Sequence, residues 1–500
     1  MATEILEGDG LRVRIEPLEA RPHAIADNPQ SLLQQRELRQ ELDGTKHRLL
    51  SFQTEDDDGD EPVRFKAAVY DYTNQRTLLA AGDPDDLGSV TFTDSTIQPL
   101  PTQEEFDEAI AVLKQDSALG EPIQSGALTP YRPMPPLANA TLADGTIERI
   151  LNVGLYSERN DLRHRFVGVD LARGAVDHHP EAAARASDDD CGVRPVDRCS
   201  RPGRSGKVRV TVTKEGEELW GFDVVRPLQS SGTNGSGVEL MKVNYQGRRV
   251  LQRAHVPILN VEYSGGGRRH GCGPTYRDWQ DEEACFEADG DDVVPGYRAS
   301  PTPARTLLDG DTDRGNFRGV SEWRLHADGI IRPRFGFAAT SNPCTCRTHH
   351  HHAYWRLAFT IGNAPSVVQE FNDPPVSGVG SWHDIRRETR RLRHASSDRK
   401  WLVRDPHGHG YEIIPGAGDG SADDYGVGDV WILRRRSGQI DDGEGFSTDP
   451  SRSKAQIDRF VNGESVVGQD VVVWYAGHFS HAPGEHRDHR VGPRLEPVRW

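Results

Sequence analysis

The segment THHHHAYWRL, residues 348–357, carries the strongest indication of fold and chemistry, because four histidines lead directly into an apolar run. Successive side chains of a β-strand point to opposite faces, so His349 and His351 share a face and can bind one metal ion. A third ligand must come from elsewhere, and the best candidate is His481, which ends the apolar segment DVVVWYAGHFSH of residues 470–481. Three neutral imidazoles with water suit Cu(II) or Zn(II), and the general affinity order favours Cu(II).

Two other interpretations of the histidine run remain open. The run resembles a purification tag in composition, but it is internal and continues into an apolar strand. It is also compatible with a solvated loop. Strand alternation places His350 and His352 on the face opposite His349. His478, three residues before His481, is either an outer partner of a metal ligand or a bystander.

Four features of this part of the chain resemble the catalytic domain of the copper amine oxidases: His-x-His, Arg-Leu a few residues later, Val-Val-Trp-Tyr, and a final His-x-Pro. The resemblance implies copper binding by His349, His351 and His481. It also implies a homodimer joined by long β-hairpin arms. With the small-domain segments near residues 64–71 and 101–106 included, the resemblance extends over residues 60–500.

The redox motif of that family is broken. Gly315 and Asn316 match the family's Gly-Asn-Tyr segment, in which copper and O₂ convert the tyrosine to topaquinone. The corresponding position here is Phe317, whose ring has no hydroxyl group to ionise. We therefore expect copper without topaquinone, with Asn316 and Phe317 beside the metal. Hydroxylation of Phe317 by copper is the alternative.

The catalytic base is the least defined part of the resemblance. Amine oxidation needs a carboxylate within hydrogen-bond reach of the substrate. The family takes it from a Tyr-x-Asp segment, which Tyr276 and Asp278 match, although a surface-loop role for Asp278 is equally compatible with the sequence. Glu287 and Asp289 are rival candidates. Ala358 occupies the position where the family begins a peripheral metal site, so that site is not expected.

Composition narrows the classes of partner and compartment. The formal net charge of −17 argues against nucleic acid and anionic membranes as partners. No stretch has the length and hydropathy of a signal peptide or a membrane span, which predicts a cytoplasmic protein. A reducing compartment disfavours disulfides among the six cysteines. Cys344 and Cys346, just before the histidine run, are either metal-binding or two structural thiols.

The pattern of strands and turns predicts a mainly β fold, with a large antiparallel β-sandwich preceded by a small α+β domain. We expect an irregular segment over 1–28, the α+β domain over 29–125, a Pro/Gly-rich linker over 126–145 and the sandwich over 146–500. Thr102 and Glu105 form a capping-box pattern that predicts the start of a helix.

Three functions are compatible with these residues. The first is a copper-dependent oxidoreductase that uses O₂ and a small-molecule substrate without topaquinone. The second is a conventional primary-amine oxidase, which converts an amine, O₂ and water to an aldehyde, ammonia and H₂O₂. The third is a non-catalytic protein with a structural metal ion, since a fold does not guarantee activity. The sequence does not identify the substrate.

Overall fold

The structure is a computed structural model of the chain. It describes residues 3–8, 10–18, 25, 28–55, 64–132, 136–137, 140–141, 147–156, 165–177, 206–226, 229–267, 273–277, 284–289, 292–299, 317–339, 348–372, 380–394, 398–423, 427–445, 453–482, 485 and 489–500. For residues 8, 55, 140–141, 147, 156, 165, 264–267, 273–277, 284–289, 292–299, 317–321 and 337–339 the description covers the backbone.

Strands make up most of the described chain. In its first half they are β1 Glu4–Gly8, β2 Leu11–Leu18, β3 His47–Glu55, β4 Arg64–Asp71, β5 Arg76–Asp83, β6 Asp86–Ser95, β7 Thr129–Tyr131, β8 Ala140–Thr141, β9 Ile147–Glu148, β10 Leu151–Tyr156, β11 Arg165–Asp170, β12 Ala175–Asp177, β13 Lys207–Lys214, β14 Glu217–Val225, β15 Glu239–Tyr245 and β16 Arg248–Gly267. In its second half they are β17 Gly273–Arg277, β18 Ala284–Asp289, β19 Asp292–Ala299, β20 Phe317–His326, β21 Ile331–Ala339, β22 His349–Phe359, β23 Val367–Asn372, β24 Ser381–Ile385, β25 Thr389–Arg391, β26 Lys400–Arg404, β27 Gly410–Ile414, β28 Val430–Arg434, β29 Val471–His481, β30 His489–Val491 and β31 Arg494–Val498.

Helices in the described residues are short and few. The α-helices are α1 Arg36–Glu41, α2 Gln103–Leu113 and α3 Gly120–Gln124. The 3-10 turns are Pro29–Gln34, Ile361–Asn363 and Ile457–Phe460. Within the described parts of the chain, every helix is too short or too polar to cross a membrane.

Two large antiparallel sheets form the body of the molecule, which confirms the predicted β-sandwich. One has eleven strands in the order β1-β2-β13-β14-β15-β16-β22-β29-β28-β25, with β17 paired to β16. The other has ten strands in the order β18-β19-β20-β21-β31-β27-β26-β23-β24, with β30 paired to β21. Apolar side chains from both sheets, among them Trp355 of the first and Trp401 of the second, share one buried core. Their burial supplies the main stabilisation of the sandwich.

The strands β22 and β29 lie side by side near the middle of the larger sheet and bury both of their faces. Odd-numbered residues such as Trp355 and Tyr475 belong to the core between the two sheets. Even-numbered residues such as Tyr354 and Trp474 belong to a separate cluster with Trp431. This explains why both segments are apolar without alternation, since a strand covered on both faces needs no polar side.

The N-terminal segment differs from the expectation that residues 1–28 are irregular. β1 and β2 form a hairpin, and β2 pairs with β13 along its length. Leu11, Val13 and Ile15 alternate with exposed residues, and this period-2 pattern buries one face of β2 in the sandwich core. The hairpin thereby adds an edge to the larger sheet.

Two four-stranded sheets and the two-stranded sheet β8-β9 lie outside the sandwich, where the sequence predicted one small domain. The sheet β3-β4-β5-β6 packs against α1, and the capping box predicted at Thr102 begins α2. The sheet β12-β11-β10-β7 packs against α2. It contains β7, which lies in the range 126–145 that we expected to be a linker, and three strands that we expected in the sandwich. The linker prediction was therefore wrong at β7, whereas β10 and β11 are strands as predicted, and their pairing with β7 and β12 decides which sheet they join.

The second small sheet adjoins the sandwich through β16. Val261 and Tyr263 of β16 are buried in the same cluster as α2 and β10. A buried ion pair joins Arg149, two residues before β10, to Glu105 of α2, with 2.7 Å between Nη2 and Oε2. Tyr72 also donates its hydroxyl to Glu105. The position of Tyr263 matters for the site, because the histidine end of β22 pairs with this part of β16.

Candidate metal centre

The three histidines of the predicted site lie together on the odd-numbered face of β22 and β29. His349 and His481 are directly opposite each other in the ladder. The ring centroid of His349 is 4.8 Å from that of His351 and 4.9 Å from that of His481. The exposed fractions of the residues are 0%, 3% and 0% for His349, His351 and His481. Three imidazoles distant in sequence therefore meet in a buried position.

The electrostatics of this position favour neutral imidazole, which is the form that binds metals. Burial, followed by the nearby His349 and His481, holds the pKa of His351 well below its usual value. An all-imidazole donor set is suited to Cu(II) by the chemistry of its ligand atoms. The residues present therefore fit copper by donor type and burial, and burial keeps His351 in the neutral form.

Aromatic stacking orients the rings around this centre. The ring of Phe479 lies 4.7 Å from that of His351 at an interplanar angle of 11°. Its other contact is with His489, at 5.0 Å and 16°. Phe479 is thus stacked between two imidazoles, and the contact restricts the rotation of both. Tyr263 packs on the remaining side, with its ring 5.2 Å from that of His349.

Two donors that the sequence reasoning missed lie next to His481. The ligand atoms of His481, Glu485 and His489 all lie within 4.8 Å of one another, and His349 and His351 are not members of that group. His489 Nε2 is 3.2 Å from Glu485 Oε2, and His481 Nε2 is 3.1 Å from the Glu485 carbonyl oxygen. The regular spacing of four residues among these three was the signal available in the sequence.

The even-numbered histidines occupy the other face of the same strands. His352 is opposite His478 in the ladder, and their Nδ1 atoms are 2.8 Å apart. His478 is therefore a partner of His352 and lies away from the three predicted ligands. Burial, followed by His478, lowers the pKa of His352 to about 3. His350, on the same face, bonds to the Ser480 hydroxyl at 2.6 Å.

The residues expected to accompany the metal are described only in part. Tyr276 lies in β17 opposite Val261, which in turn is opposite His351, so the three backbones share one row of the sheet. Phe317 is the first residue of β20 and pairs with Ala339. The side chains of both lie outside the description. Asp278, Asn316, Cys344 and Cys346 lie outside the described residues, as do the side chains of Glu287 and Asp289.

The backbone does bring the start of β20 to the same region. His489 of β30 is opposite Phe337, and Phe337 is opposite Gly319 of β20. Phe317 is two residues from that row. β20, which begins at the expected quinone position Phe317, is thus two strands away from β30, whose His489 stacks on Phe479.

No protein-family model and no curated protein match the chain. Solved structures do match it over nearly its whole length. A copper-containing benzylamine oxidase from Hansenula polymorpha aligns with a TM-score of 0.58 at 11% identity, covering 99% of this chain and 93% of that one. The chain has the fold of a copper amine oxidase.

Two further amine oxidases give the same result. An amine oxidase from Aspergillus nidulans aligns with a TM-score of 0.52 at 12% identity, covering 97% of this chain and 90% of that one. A lysyl oxidase from Pichia pastoris aligns with a TM-score of 0.54 at 12% identity, covering 97% and 91%. At sequence identities this low, the structural matches establish the fold alone, and the chemistry has to be argued from the residues.

Proposed function

We propose that the protein is a copper-dependent oxidoreductase that binds Cu(II) through His349, His351 and His481 and works without topaquinone. The observation that carries the proposal is the buried meeting of these three rings, with centroids 4.8 and 4.9 Å from that of His349. The amine-oxidase fold supports the same reaction class at a coarse level.

Each described residue has a task that follows from its contacts. His349, His351 and His481 supply neutral nitrogen donors, and Phe479 fixes the ring plane of His351. The His489–Glu485 pair, 3.2 Å apart, can hold or move a proton beside His481. Bound copper would supply a one-electron redox centre for the reduction of O₂. The surrounding apolar core excludes bulk water from the buried side of the rings.

The remaining parts of the proposal rest on the resemblance. A small-molecule substrate would dock where Phe317 replaces the quinone precursor, with Asp278 as the base and Tyr276 and Asn316 beside it. We also propose a homodimer, a cytoplasmic location and no nucleic-acid or membrane partner. The charge of −17 supports the last of these, because a strongly acidic protein is repelled by polyanions.

The proposal is tested by copper content and O₂ consumption in the purified protein. We expect about one copper per chain and O₂ uptake with a screened substrate, both lost in His349→Ala. His383→Ala is the matched control, because His383 is exposed and bonds only to the Ser381 hydroxyl in its own strand among its described contacts. Copper content below about a tenth per chain, or O₂ uptake that survives His349→Ala, would overturn the proposal.

A conventional primary-amine oxidase is the second candidate, and one observation favours it. The phenol ring of Tyr263 lies 5.2 Å from the ring of His349. A tyrosine at a position other than 317 is therefore available for oxidation near the proposed metal. The expected sign is a visible absorption band that phenylhydrazine titrates in the wild type and that Tyr263→Phe removes. A colourless protein that is inert to phenylhydrazine eliminates this candidate.

A metal with a purely structural role gives a third pattern. Metal that binds the folded chain raises its stability in proportion to the logarithm of the ratio of metal concentration to Kd. A structural ion would therefore shift the unfolding midpoint on chelation without O₂ uptake on any substrate. The same two measurements, unfolding and O₂ uptake, thus separate this candidate from the two enzymes.

A further inference from the structure

The even-numbered face of β22 carries a second cluster of metal-ligating groups, separate from the three predicted copper ligands. The ligand atoms of Glu262, His352 and Asp423 all lie within 4.8 Å of one another. His352 is 1% exposed, whereas the Asp423 side chain is 42% exposed. The cluster is therefore anchored in the protein on one side and open to solvent on the other.

We propose that Glu262, His352 and Asp423 form a second metal site, which takes a divalent transition-metal ion such as Zn²⁺. One imidazole nitrogen and two carboxylates match the ligand types that zinc accepts. Two carboxylates so close together repel each other, and a divalent cation neutralises both charges. Solvent at Asp423 provides the entry path and the remaining ligand positions.

Hydrogen bonds behind His352 determine which of its nitrogens faces the carboxylates. Asp429 is fully buried and accepts backbone N–H groups from Ala422 at 2.8 Å and Arg393 at 2.5 Å. The Arg393 guanidinium lies 3.6 Å from Asp429 Oδ1, so Asp429 is held as a carboxylate. His478 Nε2 lies 3.0 Å from Asp429 Oδ1 and 3.1 Å from the Gly428 carbonyl oxygen. Both oxygens can only accept, so this nitrogen carries the proton.

The same reasoning extends to the next ring. When His478 carries a single proton, on Nε2, it accepts at Nδ1, and His352 then donates from Nδ1 across 2.8 Å. The lone pair of His352 is then on Nε2, which is the atom that lies 3.8 Å from Asp423 Oδ1. Asp429 and His478 thus orient a metal-ligating imidazole, as outer partners do in known metal sites.

Two further contacts hold the carboxylates in place. Glu262 is opposite His350 in the β16–β22 ladder, which makes it the diagonal neighbour of His352 on the same face. Asp423 follows Ala422, whose N–H is bound by Asp429 at 2.8 Å. Asp429 therefore positions both the imidazole and the loop that carries Asp423. This site is also distinct from position 358, where Ala358 is buried among apolar side chains.

The test is zinc binding by the full chain loaded with one equivalent of Cu(II), so that excess copper does not fill the second site. Calorimetry with Zn²⁺ alone, checked by metal analysis after dialysis, should show one further zinc per chain. Asp423→Asn and Glu262→Gln should each weaken that binding at least tenfold, and Asp429→Asn should weaken it ten- to a hundredfold through His478. Asp43→Asn, an exposed carboxylate in another part of the fold, is the matched control and should bind zinc as the wild type does.

The outcomes are distinct from those for the copper centre. Absence of a further zinc in the copper-loaded wild type, or unchanged zinc affinity in both Asp423→Asn and Glu262→Gln, overturns the second site. Asp423 and Glu262 are partly exposed, so these variants should fold, and circular dichroism checks that they do. If copper is lost in Asp423→Asn at the same time, the two clusters are one site and the proposal of a separate site is wrong.

Discussion

The two faces of the β22–β29 pair place their histidines in different surroundings. The odd face turns His349, His351 and His481 toward the core between the sheets, with aromatic rings as their neighbours. The even face turns His352 and His478 toward a chain of polar groups that ends at Asp429. The histidines on the two faces are almost equally buried. The groups around them therefore distinguish the proposed copper ligands of the odd face from the histidines of the even face, which lie near carboxylates.

The largest difference should appear when the removal of one histidine from the odd face is compared with the removal of one from the even face. We expect His349→Ala to lower copper affinity by more than about a hundredfold, because a direct ligand matters more than the outer partners whose loss costs ten- to a hundredfold. His352→Ala should leave copper affinity within about threefold of the wild type. Competition titration against a copper chelator measures both. An equal loss in the two variants would mean that the faces are not independent.

A smaller effect is expected from the ring that stacks on His351. Phe479→Leu keeps most of the apolar volume, so the free energy of unfolding should fall by less than about 1.5 kcal/mol. It removes the stacking on His351 and His489, and we expect copper affinity to fall by about three- to tenfold. Copper titration and urea unfolding of the same preparation separate the two quantities. Copper affinity unchanged in a folded Phe479→Leu protein would show that stacking does not orient the ligands.

The smallest effect concerns acid stability on the even face. Hydrogen bonding from His478 and the charge of Arg393 outweigh burial, so the pKa of Asp429 is lowered in the folded protein. A carboxyl group whose folded pKa is depressed adds stability above its unfolded pKa, and this stability is lost as pH falls through the folded pKa. The unfolding free energies of wild type and Asp429→Asn should therefore differ steadily between pH 7 and 5 and converge at lower pH.

Urea unfolding at a series of pH values from 7 to 3 measures this convergence. Asp43→Asn serves as the control, because Asp43 is exposed and lies far along the chain from the even face. Its unfolding free energy should follow the wild type at every pH. A constant difference between wild type and Asp429→Asn down to pH 3 would contradict the ionised state assigned to Asp429.

Much of the fold was predictable because its signals are local. The capping box of Thr102 and Glu105 depends on residues three apart, and it begins α2 as expected. The apolar runs likewise predicted the strands β22 and β29, and the structure buries both faces of each. These patterns need no knowledge of distant neighbours, and all of them are present in the structure.

The errors concern long-range pairing. β2 has a period of two, yet only its ladder with β13, some two hundred residues later, makes it part of the sandwich. β10 and β11 have the same local pattern as sandwich strands but pair with β7 and β12 in a separate sheet. A strand's own sequence does not encode its partner, so the domain boundaries could not be read from it.

The site shows the same limit. Strand alternation brought His349 and His351 onto one face, and the structure pairs His349 with His481. Glu485 and His489 were missed because the sequence between His481 and His489 has no strand pattern. Tyr263 was missed because its contact with His349 crosses from β16 to β22. Contacts with residues of other strands can be predicted only when the order of strands in the sheet is known.

The most direct test of the copper centre is a crystal structure of the copper-loaded protein with anomalous diffraction collected at the copper absorption edge. We expect one strong anomalous peak about 2.0–2.1 Å from a ring nitrogen of each of His349, His351 and His481, as for imidazole ligands of similar metal ions. A peak held by His481, Glu485 and His489, with His349 and His351 beyond bonding distance, would contradict the account.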